Sequence, residues 1–368
     1  MTRSRAFRRL AIGFALVVIG LGSGTAVGQG RYVGLLVAPF AGPEPLGQKV
    51  ATVLHLQTWQ TLRLAPPNNV HQLNFGRGIV YWDEGAPPTR HAEALARLEG
   101  LEAQMVLWGH AQEFGDGVVV QAYLTVAEPL RAHSGAGTLW SVSPPELVAT
   151  KGVISVGLPA STFEFAPIVL QAEVIRLLRS PAGIPIYADR KFTTRKGELG
   201  GDFRALEQGP DSARVQSGGV TGWVRLPGLS ASRSEVTDFA GGLIRIFRRD
   251  WGGAIDLFTR VTRTANAPVS IRVSSLLLMA AASRLQHEQI GEADRSLEFV
   301  EAAERLNPYL RETIKYKCMA LLAAPRRAER MRQLAETVRT GGYLFPKDDP
   351  WLGKIRQVLA RNARASGH

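Results

Sequence analysis

The residues of this 368-residue chain that could make or break bonds are seven histidines, one cysteine and a few acidic pairs. The histidines are His55, His71, His91, His110, His133, His287 and His368. None has a partner at HxxxH spacing, which would put two imidazoles on one helix face. With Cys318 as the single thiol, a zinc site of known pattern lacks ligands. A reactive thiol needs a base and an electropositive setting. No histidine is local to Cys318, and "ETIKYKCMALLAA" reads as an apolar helix, so the thiol is expected to be buried and inert. There is no GxSxG elbow and no Walker-type loop, and the glycine cluster "GLGSG" lies inside an N-terminal apolar leader. Asp83-Glu84 and Asp348-Asp349 adjoin loops and read as solvated or capping groups. No cofactor, metal or catalytic residue is assigned. The enzyme alternative is a hydrolase with a site near Pro39, Trp82 and His110, where the first strands end.

The elements around these residues begin with a leader. Arg3, Arg5, Arg8 and Arg9 precede an apolar run from Leu10 to about Leu21, then "GSGTAVG". Ala26 and Gly28 occupy the −3 and −1 places before Gln29, the pattern of an export signal cleaved near Gly28. The run is shorter than the ~20 residues a spanning helix needs. Residues 1–28 are therefore expected to be a signal peptide, and the mature protein periplasmic. Cleavage removes four arginines and no acid, so the formal charge of +12 falls by four. The remaining bases are scattered. They leave open a peripheral attraction to anionic glycan or lipid and show no nucleic-acid reading motif. With 45% hydrophobic residues and roughly 100–200 residues per domain, two or three packed domains are expected.

"RYVGLLVAPF" reads as a buried strand, "GQKVATVLHLQTWQTL" as a helix, "GIVYW" as a strand and "PTRHAEALARLEG" as a helix capped at Thr89. "AQMVLWGHAQEF" and "VVVQAYLTV" read as a hairpin turning at Asp116-Gly117. Residues 131–160 are irregular, with "PP" at 144–145 and apolar strands such as "GVISVGL", and "FAPIVLQAEVIRLLR" reads as an amphipathic helix closing an α/β domain over 29–180. Through "LLVAPF", "LEGLEAQMVLWG" and the "GDG" pair, this region resembles the N-terminal domain of the periplasmic Tol-system protein TolB and the related domains of curli-secretion CsgG-type proteins. TolB's propeller repeats do not follow it. The CsgG resemblance implies an alternative role in secretion or outer-membrane assembly.

Residues 181–232 alternate short apolar and polar runs between Gly- and Pro-rich turns, as in a small all-β barrel. "DSARVQS" followed by "GGVTGWVRL" resembles the closing strands of the bacterial SH3-like barrel. That family's Asn-Arg-Ser-Gly opening is replaced here by "YADRKFTTR". The resemblance implies a groove for cell-wall peptide, glycan or a partner protein, with Tyr187, Phe203 and Trp223 as its aromatic candidates. All three could equally be core in so small a barrel.

From Val236 the spacing becomes helical. Gly242, Trp251, Ala254 and Phe258, then Gly291, Ser296, Ala303 and Pro308, resemble tetratricopeptide repeats over 233–345. Arg284 stands where the second unit should have a small residue, and Ala254 and Ser296 lie farther apart than the family's repeat of about 34 residues. A C-terminal helix and tail fill 346–368. The fold class expected is a multidomain chain: α/β, small SH3-like barrel, all-α TPR-like repeats. The function expected is a non-catalytic periplasmic scaffold binding envelope proteins or peptidoglycan.

Overall fold

The computed structural model describes residues 34–51, 54, 79–81, 86–98, 103–115, 117–126, 138–150, 152–170, 175, 184–199, 203–208, 212–225, 235–324 and 327–366. The expected leader, Trp82, Asp83-Glu84 and Asp116 fall outside these residues. The described chain mixes helices with three sheets, and no described helix is long and apolar enough to cross a membrane.

The first sheet joins β1 (Gly34–Val37), β2 (Ile79–Tyr81), β3 (Ala103–Phe114), β4 (Gly117–Val126), β7 (Thr162–Glu164) and β8 (Ile168–Val169). β1 runs parallel to β2 and β3, while β3–β4 and β4–β7 are antiparallel. Period-two alternation sorts the side chains between two cores. Leu35, Val37, Met105 and Leu107 enter the main core, and Leu36, Ala38, Val106 and Trp108 enter a smaller one under helix α1 (His91–Leu98). At the start of α1, Glu93 accepts from the Thr89 backbone N–H and hydroxyl, both at 2.9 Å.

The helix expected over 165–179 is not formed in its first part. Residues 165–170 are extended: the Phe165 N–H donates to Ala122 O, β8 pairs with β4, and the Leu170 N–H reaches Val118 O at 2.9 Å. Pro167 lacks a donor and biases the residue before it toward extended backbone. The edge of β4 supplies the partners instead.

The second sheet is antiparallel throughout, in the order β10 (Arg195–Leu199), β9 (Ile184–Tyr187), β13 (Val220–Arg225), β12 (Ser212–Ser217), β11 (Phe203–Gln208). Its buried face presents Ile184, Ile186, Ala213, Val215 and Val224. Gly218 and Gly219 join β12 to β13 with φ of 54° and 81°, the left-handed pair a tight hairpin turn requires.

Helices α2 (Glu235–Phe247), α3 (Trp251–Arg263), α4 (Val269–Ile290), α5 (Ser296–Leu306), α6 (Arg311–Ala323), α7 (Arg327–Gly341) and α8 (Pro350–Ser366) pack in succession. α4 is buried without a break from Val273 to Ser283, so its neighbours enclose it on every side. Gly291 ends it with φ 74°, its N–H bonded to His287 O.

The segment the sequence left irregular forms a hairpin, β5 (Trp140–Val142) and β6 (Ile154–Val156). It docks on the C-terminal helices. Tyr316 of α6 donates its hydroxyl to Gly157 O at 2.7 Å, and Trp351 of α8 donates Nε1–H to Ser155 O at 2.8 Å. Lys354 reaches Val153 O and Arg361 reaches Glu146 O. One hydrophobic cluster runs from Leu35 of the first sheet through Ile186 and Val224 to Val358 of α8.

Candidate functional site

The aromatic face of the second sheet is built by close backbone approach. A Cβ at Gly222 would lie 2.3 Å from Tyr187 O and 2.6 Å from Ile186 Cγ2, so only glycine lets β13 close on β9. The next residue, Trp223, then pairs directly with Tyr187. Their neighbours Ile186 and Val224 are fully buried, so alternation turns Tyr187 and Trp223 to the opposite, half-exposed face.

The turn after β9 completes this face. The Asp189 carboxylate accepts the Lys191 N–H at 2.8 Å and shapes the loop. Phe192 adopts φ 57° and sets its ring edge-on to Tyr187 at 5.5 Å between centroids. The Arg190 guanidinium lies 4.1 Å from the Trp223 ring centroid and 2.5 Å from Glu207 Oε1 on β11, with Arg214 3.9 Å from the other Glu207 oxygen. The "ADRKF" segment, where the sequence departs from the SH3-like pattern, thus supplies both the cation and the third ring of this face.

Of the three aromatic candidates, the structure brings Tyr187 and Trp223 together. Phe203 pairs through its backbone with Ser217, two strands beyond Trp223, and its side chain is outside the described set. Sequence reasoning missed Arg190, Phe192 and Glu207. A basic residue next to an aromatic in the β9 turn was the available signal, but Glu207 lies too far along the chain for spacing to link them.

Of the hydrolase candidates, Pro39 and His110 are among the described residues and Trp82 is not. Trp108 and Tyr123 stack on each other at 4.6 Å, His110 lies edge-on to both at 6.1 Å, and its backbone bridges Ala41 beyond Pro39. The polar groups that do converge nearby are different ones. Trp108 Nε1–H donates to Thr125 Oγ1 at 3.0 Å, Thr125 and Thr162 hydroxyls stand 3.4 Å apart, and Thr162 contacts His91 Nδ1. His91 Nδ1 also stands 3.2 Å from Thr125 Oγ1, so both hydroxyls converge on this one ring nitrogen. Thr125 is fully buried, out of reach of a substrate, and no carboxylate among the described residues bonds to His91 to orient it as a base would need. The arrangement satisfies buried polar groups. Burial and the nearby Glu164 push the Tyr123 hydroxyl above its ordinary value.

Cys318 is fully buried, and burial pushes its thiol up to about 12, so it stays protonated and unreactive at neutral pH. No group of His, Cys, Asp or Glu among the described residues could hold a metal ion.

The helical pairs show how the repeat-like positions are used. A Cβ at Gly242 would lie 2.6 Å from the Phe258 ring, so α2 and α3 touch where the small residue stands. Arg284 places its guanidinium 3.2 Å from Asp294 and 2.8 Å from Glu288, and Asp294 also accepts the Ser296 N–H at 2.9 Å, fastening the α4–α5 turn. Burial pushes the Asp294 carboxyl up, but the bonds from Ser296 and Arg284 outweigh it and hold the group below its ordinary value.

Searches against protein-family models, curated proteins and solved structures find nothing that matches this chain.

Proposed function

We propose that this chain is a non-catalytic envelope protein, exported to the periplasm, which holds partner proteins or peptidoglycan on recognition surfaces. In this reading the second sheet is an SH3-like barrel and helices α2–α7 are a divergent tetratricopeptide array. Support for the barrel is its antiparallel order with a Gly-Trp-Val closing strand. Support for the array is the Gly242–Phe258 contact between successive helices.

The observation that carries the reading is the paired Tyr187 and Trp223 with Arg190 over the indole. Rigid aromatic faces bury large area at small entropic cost. Cell-wall peptides and glycans offer apolar faces to such rings once Arg190, held by Glu207, moves off the indole.

The test is a peptidoglycan sedimentation assay run beside a pull-down of the tagged mature chain from envelope extract, using wild type and Y187A/W223A. The wild type should sediment or recover a defined partner, and the variant should lose it. A wild type that does neither, yet turns over a generic ester or glycoside, would remove the scaffold reading. Ring-shaped oligomers in negative stain would favour the secretion alternative instead.

A further inference from the structure

At the far end of the helical layer the chain leaves α7, makes a short turn at Gly342–Leu344 and enters α8 through Phe345–Asp349. A cleft of about 590 Å³ opens there, lined by Val338, Arg339, Tyr343, Phe345, Lys347 and Arg356, with Gly342 and Pro346 between them. That volume is inside the roughly 300–1,000 Å³ range of ligand sites. The floor is rigid: Phe345 is buried and lies parallel to Trp351 at 6.0 Å between centroids, and Trp351 is itself tied to Ser155. On the rim, Tyr343 is 68% exposed.

The charge in the cleft has one sign. Arg339 is shared with Glu336 at 2.5 Å. Neither Lys347 nor Arg356 forms an ion pair with any carboxylate among the described residues. The Arg356 guanidinium rests over Gly342, where a Cβ would meet it at 3.9 Å. α8 carries Lys354, Arg356, Arg361 and Arg364 and no acidic residue. Lys354 and Arg361 are spent on backbone carbonyls of 146–153, so Arg356 is the α8 cation left facing this cleft.

We propose that the cleft between α7 and α8 docks an acidic, extended peptide segment of a partner protein. Its carboxylates meet Arg356 and Lys347, and an apolar side chain lies between Tyr343 and Phe345. The three cations stand on three separate elements, α7, the connecting loop and α8, with rings between them. That spacing suits carboxylates strung along a backbone. A single phosphate wants its donors converging on one point, and a lipid surface wants a convex or flat basic face where this one is concave. Tyrosine and arginine are the residue types that carry most binding energy at such sites, and Arg pairs carboxylates through two parallel bonds. The site is separate from the Tyr187–Trp223 face, so it stands whether or not that face binds.

The experiment uses the full chain and a short fluorescent peptide rich in Asp and Glu with one Phe, read by anisotropy. Binding should appear at low salt and weaken as salt screens the charges. K347E/R356E should weaken it by about tenfold or more, and Y343A should weaken it without altering the salt dependence. R364A, on the same helix but not lining the cleft, should bind as wild type. Circular dichroism checks the fold, and K347Q/R356Q reads the same loss if the charge-reversed protein fails to fold. Wild-type binding by a folded double variant would overturn the proposal. So would capture by anionic vesicles, or saturation by inorganic phosphate, in the absence of any peptide binding.

Discussion

The guanidinium of Arg190 covers the indole of Trp223 at 4.1 Å while its edge donates an Nη2–H to Glu207 Oε1 at 2.5 Å. The ring that a sequence reading would offer to a ligand is therefore already occupied by the protein's own cation. Both ion-pair partners are about half exposed, so the pair itself adds little to stability, and the cation–π contact contributes about 0.5–1 kcal/mol.

R190A should thus lower stability by no more than about 1 kcal/mol and uncover the indole. Acrylamide quenching, read as the difference between each protein and its W223F counterpart, should rise in R190A. If Tyr187 and Trp223 form the binding face, sedimentation with peptidoglycan or partner capture should strengthen with it. Unchanged quenching would mean that Arg190 does not shield the ring in solution.

Glycine-to-alanine changes at two helical positions should have opposite signs. At Gly242 the added methyl meets the Phe258 ring at 2.6 Å, and that ring is fully buried against Phe239. The helix-propensity gain of about 1 kcal/mol is outweighed by overpacking of about 1–3 kcal/mol. At Gly353 of α8 a Cβ meets nothing within 4 Å, so the propensity gain stands alone. Urea midpoints should fall for G242A and rise for G353A, and the smaller ring in G242A/F258L should recover part of the loss.

Buried Glu235 and half-buried Asp294 should tilt stability with pH in opposite directions. Burial pushes the Glu235 carboxyl up, against a 3.0 Å bond from the Ala166 N–H that pulls it down. The folded state then holds a proton that the unfolded chain has released. Stability is fully present below the ordinary glutamate range and is lost as pH rises through the raised folded value. E235Q keeps an acceptor for Ala166 and removes that loss, so it should be more stable than wild type at neutral pH and lack this part of the slope. Asp294 is held low, so its contribution is present above the ordinary aspartate range and lost as pH falls through the lowered value. D294N should flatten the acid limb of a melting-temperature profile. Profiles indistinguishable from wild type would contradict both assignments.

Cys318 should ignore a thiol reagent in the native protein and react once guanidinium unfolds it, because the thiol is fully buried and its ionisation pushed to about 12. Labelling should follow the unfolding transition. C318S should cost about 1–3 kcal/mol for a buried hydroxyl without a partner, more than the volume-matched loss alone. Rapid labelling of folded protein would reopen a functional role for the thiol.

Much of the local structure was legible because its signals are local. The apolar runs "RYVGLLVAPF" and "AQMVLWGHAQEF" mark buried strands, the glycine pair at 218–219 marks the hairpin, and the spacing from Gly242 to Phe258 marks a close helix contact. Tyr187 and Trp223 were legible as candidates for the same reason. Their partners were not. Arg190 reaches Glu207 across strands, and the Thr162–His91 and Arg284–Asp294 contacts need the fold to bring their elements together. The helix expected after Phe165 illustrates the converse failure. Its apolar spacing suits a helix, but the free edge of β4 and the missing donor of Pro167 made a short strand at 168–169 the better-bonded outcome.

By itself, the amino-acid order marked β1, β3, β4, the 218–219 turn and most of the C-terminal helices, since each rests on side-chain periodicity or backbone preference within a few residues. Only tertiary structure decided that the hairpin at 140–156 packs on α6 and α8, that Arg190 lies on Trp223, and that Lys347 and Arg356 share one cleft. An apolar strand or an exposed cation is locally compatible with many partners. Which one it meets is chosen by shape and burial when the whole core closes.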